Sequence, residues 1–101
     1  MGMSAVGKTA RVDMNWTLWG KMLEILEQNG FVGELPSSND GYIVSKDTAI
    51  EVGKAILAWY SKKPRTNQEH HFIHPELEGW ESAILAYALL LIVDGERVRH
   101  F

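Results

Sequence analysis

The sequence predicts a mainly α fold, becoming α+β if one short strand pair forms: a compact three-helix domain with a β-hairpin between helices 1 and 2 and an extended C-terminal segment. Three observations predict it. Apolar residues recur at steps of three and four in three separate stretches, turn formers concentrate between the first two, and Asp94-Gly95 interrupts the last. Residues 1–11 are assigned to a flexible tail and residues 12–101 to a single helical domain, as one core suffices for 101 residues.

The first helix is placed over residues 13–28. Trp16, Trp19, Leu23 and Leu26 form its stripe, widened by Met22 and Ile25. Asp13 or Asn15 can accept from the first free amides, and Asn29-Gly30 offers the left-handed residue that ends many helices. Gly20 inside it reads as either a point of close packing or a tolerated cost, the first being favoured. Residues 31–42 then hold Gly33, Pro36, Ser37, Ser38, Asn39, Asp40 and Gly41, too many turn formers for a helix. Phe31-Val32 before this loop and Tyr42-Ile43-Val44 after it are β-branched and aromatic, and they are read as the two strands of the hairpin.

Ser45 has the character of an N-cap for the second helix, with Asp47 opposing the dipole in the first turn. Ala49, Val52, Gly53, Ile56 and Tyr60 build its stripe, flanked by Ala55 and Trp59, and the small residues admit close approach of another helix. Lys62, Lys63, Pro64 and Arg65 end it and open a polar linker. His74-Pro75 is expected to start the third helix, with Glu76, Glu78 and Glu81 in its opening turns. Residues 83–93 are unbroken apolar sequence, read as core and far short of the ~20 residues that span a bilayer.

Composition narrows the function. With 46% hydrophobic and 23% charged residues the chain should fold, and the absence of cysteine removes disulfides, thiolate nucleophiles and Cys-based zinc sites. No apolar leader is evident, so a cytoplasmic location without membrane attachment is expected. A net charge of −3 disfavours nucleic acid as partner, because phosphate neutralisation needs a concentrated basic surface.

Several segments resemble chemical motifs. Residues 2–9, ending Gly7-Lys8-Thr9, satisfy the G-x-x-x-x-G-K-[ST] phosphate-loop pattern, but only Met1 precedes it where the loop needs a strand, so no nucleotide residues are assigned. His70, His71 and His74, with Glu69 or Glu76, are the candidate metal group, His70 and His74 standing four apart. Pro75 argues against the shared helical face those two would need. Glu76, Glu78 and Glu81 are explained by dipole complementarity, and Ser37, Ser38, Ser45 and Ser82 lack a nucleophile elbow. No catalytic residue is assigned and no cofactor is implied. Four Trp are many for a small core, and Trp is enriched at binding hot spots. The interaction candidates are therefore Phe31, Tyr42, Trp16, Trp59 and Trp80.

Trp19-x-x-Met22-Leu23-x-x-Leu26-x-x-x-Gly30-Phe31, followed by Val44-Ser45-x-x-Thr48-Ala49-x-x-x-Gly53-x-Ala55-Ile56, resembles short uncharacterised bacterial proteins built as helix, Gly-rich turn and capped helix. The resemblance implies a shared arrangement of caps and packing and carries over no functional residue. Two functions remain. One is a small non-catalytic interaction or regulatory domain that holds a protein partner or a second copy of itself. The alternative is a metal- or small-ligand-binding domain built on His70, His71 and His74.

Overall fold

The computed structural model describes residues 2–35, 41–62, 65–67, 73–75 and 79–101. Three helices, α1 (Trp16–Gln28), α2 (Lys46–Ser61) and α3 (Gly79–Asp94), lie against a four-stranded antiparallel sheet. Its strands are β1 (Gly2–Val6), β2 (Arg11–Asn15), β3 (Tyr42–Ile43) and, after a 3-10 turn at Gly95–Arg97, β6 (Arg99–His100), in the order β2-β1-β6-β3. A separate two-stranded ribbon pairs β4 (Arg65–Asn67) with β5 (Ile73–Pro75). The expectation of a mainly α protein with some β structure holds.

Residues 1–11 do not form the expected flexible tail, for Gly2–Val6 pairs on both sides, with β2 and β6. The physical signal is a period of two. Met3 and Ala5 are buried while Ser4 between them faces outward, and in β2 Val12 and Met14 turn inward between Arg11, Asp13 and Asn15. The same residues 13–15 that read as the start of a helix are thus the end of a strand, and α1 begins at Trp16. Of the two proposed caps Asn15 serves, its side chain accepting the Leu18 amide at 2.7 Å.

The expected hairpin between α1 and α2 is also replaced. Gly30, at φ +90°, lets the Phe31 amide turn back to the Leu26 carbonyl at 2.9 Å and its own amide to that of Glu27, the bonding of a Schellman cap. Phe31 is thereby tied to the helix end and packs against the core, so it cannot pair with Tyr42. Tyr42-Ile43 pairs instead with His100-Arg99 of β6. Ser45 caps α2 as expected, accepting the Thr48 amide at 3.1 Å.

The third helix does not start at His74-Pro75, which belong to β5; it is described from Gly79, and the expected first-turn residues Glu76 and Glu78 lie outside the described residues. Pro75 ends a strand, which suits its fixed φ and the extended preference it imposes on the residue before it. Asp94-Gly95 closes α3 as expected, Gly95 adopting φ +57°. Gly53 admits the close helix contact predicted for it, since a Cβ there would stand 2.8 Å from Cγ1 of Ile92 on α3. Gly20 does not: a Cβ there would meet open space.

The core lies between the helices and one face of the sheet, centred on Met3, Met22, Leu26, Ile56, Ile84 and Leu91. It also holds a polar knot. Tyr87 and His100 are both fully buried, Tyr87 Oη standing 2.6 Å from His100 Nε2 and His100 Nδ1 3.0 Å from the Tyr42 carbonyl. A carbonyl only accepts, so Nδ1 carries the proton, and Nε2 accepts from the Tyr87 hydroxyl. Burial favours the neutral imidazole, the form in which both bonds run this way. Trp19 closes the knot edge-on, its ring centroid 5.5 Å from Tyr87 and 6.0 Å from His100.

Candidate interaction surface

The segment resembling a phosphate loop is strand β1 and, at its Gly7-Lys8-Thr9 end, the β1–β2 turn, which does bind an anion, one belonging to the chain itself. The Gly7 amide donates to the Ala10 carbonyl at 2.9 Å, closing the turn. The Thr9 amide and hydroxyl then each donate to the Asp94 carboxylate at 2.8 Å. These bonds, with help from the Lys8 amide and Arg97, hold the Asp94 carboxyl below its ordinary range. A Cβ on Gly7 would overlap this carboxylate and sit 2.7 Å from Leu90. The Gly-Lys-Thr run thus clamps the hairpin to the end of α3.

The interaction candidates fall in four separate places. Trp16 opens α1 and is 37% exposed, while Tyr42 lies across the sheet on β3 and is 48% exposed. Phe31 is half-buried and shares a shallow groove with Leu23, Glu27 and Leu35. Only Trp59 and Trp80 are brought together, half-buried with ring centroids 6.4 Å apart, and Lys21 Nζ stands 4.4 Å from the Trp80 centroid. In the metal group His70 and His71 lie outside the described residues and His74 belongs to β5. Among the described residues no three His, Asp or Glu side chains gather as metal ligands would.

A further apolar surface lies outside these candidates. The run 83–93 read as core from the sequence, yet α3 turns Leu89, Ile92 and Val93 to solvent at 51%, 48% and 65% exposure. On α2, Ile50 and Leu57 are exposed on either side of Gly53, the residue against which Ile92 packs. Ile92 thus joins Ile50 and Leu57 at the α2–α3 seam. On its other flank α3 borders β2, and an apolar groove of about 310 Å³ runs between Ala10 and Val12 on one side and Ala86, Leu89 and Val93 on the other. The available signal was the lack of any polar side to α3: a helix apolar all round needs cover all round, and the described residues cover only part of it.

The outer face of the sheet, opposite the helices, is polar around β2. Asp13 accepts from the Ser4 hydroxyl at 2.6 Å and from Arg11 Nε at 3.0 Å, which together lower its pKa. No helix of the described residues is long and apolar enough to cross a membrane. Comparison with known protein families, curated proteins and solved structures finds no match.

Proposed function

We propose that this chain is a small non-catalytic interaction module of the cytoplasm, which works by presenting an apolar helical face to a protein. One observation carries the reading: Leu89, Ile92 and Val93 of α3, with Ile50 and Leu57 of α2, stay substantially exposed on rigid helices whose opposite sides are fully packed. Exposed apolar side chains concentrated on one face mark sites of association, whereas scattered ones do not. The buried Tyr87–His100 pair supports a role in binding over one in catalysis, because both side chains are satisfied and sealed from solvent.

The test compares wild-type bait with a Leu89→Lys/Ile92→Lys variant in capture from cells, scoring bound proteins and a differently tagged copy of the chain. A stoichiometric partner held by the wild type and lost by the folded variant is the expected result. Binding of nothing that depends on this face, the second copy included, overturns the reading.

A further inference from the structure

The two ends of the sheet differ. β3 is only two residues long, a short edge that offers little to another strand, whereas β2 runs for five residues without proline. The hydrogen-bond alternation gives the direction of its backbone. Ser4 and Phe101 exchange both amide–carbonyl bonds at 2.8 Å, so the even positions of β1 point toward β6 and the odd ones toward β2. The Gly7–Ala10 bond at the turn agrees. In the register that pairs Ala5 with Val12 and Met3 with Met14, the backbone groups of Val12 and Met14 face β1, and those of Arg11 and Asp13 face away from it. That side is the end of the sheet among the described residues.

We infer that β2 pairs antiparallel with β2 of a second copy of this chain, extending the sheet to eight strands about a twofold axis at Val12. The inference rests on the interaction reading above and names the partner. Charge selects both partner and register. Outward-facing residues must pair with outward-facing residues: Arg11 opposite Asp13 of the copy, or a register shifted by two residues either way, which sets Asp13 opposite itself or Arg11 opposite itself. Both shifted registers place like charges together. The first sets Arg11 against Asp13 twice, forms four backbone hydrogen bonds and brings Val12 against its own copy on the helix side. An i, i+2 pair of opposite charges is self-complementary in this geometry and no other partner is needed to match it.

The apolar surface agrees with that arrangement. A twofold axis perpendicular to the sheet keeps both helix layers on one side, so the groove between β2 and α3 is brought against its copy. Leu89 and Val93 of the two α3 helices then cover each other across the new strand pair. Strand pairing alone would leave these residues in water, and helix contact alone would leave the β2 backbone unpaired.

The chain has no cysteine, so Val12→Cys introduces a single thiol. In the stated register position 12 is a non-hydrogen-bonded pair with Cα atoms about 4.5 Å apart, within disulfide reach. Light scattering of untagged protein over a concentration series should give twice the chain mass, and Val12→Cys should cross-link as a dimer under mild oxidation. Val32→Cys, on an exposed position remote from β2, should not exceed background. Arg11→Asp and Asp13→Arg should each weaken the dimer about tenfold, and the double exchange should restore it.

A dimer that fails to cross-link through position 12, or single reversals that are not rescued by the double exchange, would overturn the inference. A monomer at all concentrations whose Leu89/Ile92 face still captures another protein would also overturn it and leave the interaction reading intact. A monomer that captures nothing removes both.

Discussion

Leu91 and Leu89 sit two residues apart on α3, have the same side chain, and meet opposite environments. The inner side of the helix packs Ile84, Tyr87, Ala88 and Leu91 against the core, while Leu89, Ile92 and Val93 emerge on the outer side. The inner side also carries the Tyr87–His100 knot, in which each donor finds its acceptor. Hydrophobicity therefore separates nothing here. What differs is the number of layers available, since the described helices and sheet cover one side of α3 and leave Leu89, Ile92 and Val93 of the other exposed.

Truncation on the two sides should break the symmetry of sequence most strongly. Leu91→Ala should lower unfolding free energy by about 2–5 kcal/mol, because the core closes only partly over the lost volume. Leu89→Ala, at monomeric dilution, should stay within about 0.5 kcal/mol of wild type. Parallel urea titrations check both, and equal losses would mean that the outer face is packed in the isolated chain.

The polar knot gives the next effect. Tyr87→Phe keeps the ring and its contact with Trp19 but leaves His100 Nε2 buried without a donor, and it should destabilise by about 1–3 kcal/mol. If the loss is negligible, the bond is not structural.

Protonation offers a milder probe of the same site. Burial holds the His100 pKa below its ordinary 6.5, with the Tyr42 carbonyl offsetting part of that, so the unfolded chain binds the proton more tightly than the native one. Stability from this source is complete above pH 6.5 and declines as the pH falls from there toward the native pKa, where the decline levels off. Thermal melts at pH 7.5 and 5.5 should show the drop, and His100→Gln, though less stable, should lose it. The smallest change is expected at the seam: Gly53→Ala gains helix propensity of about 1 kcal/mol but drives a Cβ toward Ile92, which sits at the surface and can yield. Its melting temperature should move little in either direction.

Helices and caps were legible in the sequence because their signals are local. Ser45, Asp47, Asn29-Gly30 and Asp94-Gly95 each act within one turn of chain, and they stand at the predicted ends. The sheet was not, because β1 finds β6 across nearly the whole chain and no local pattern records that pairing. Met3, Ala5, Val12 and Met14 did carry a strand alternation, masked by a phosphate-loop coincidence in one case and by adjacency to a helix in the other. The candidate surface was hidden for a third reason: residues 83–93 have one composition, and only the arrangement of the other elements decides which of them meet solvent.

The position of β1 between β2 and β6 also bears on how the protein is made. Three helices separate the first hairpin from the strand that completes its sheet. A nascent chain emerging from the ribosome can form that hairpin early, but its second rim stays bare until α3 and the segment beyond it have been synthesised. Long-range closure of this kind slows folding relative to a helical bundle of equal size. Translation stalled before Arg99 would leave both rims of the hairpin open at once, a species prone to aggregate and a natural client for chaperones.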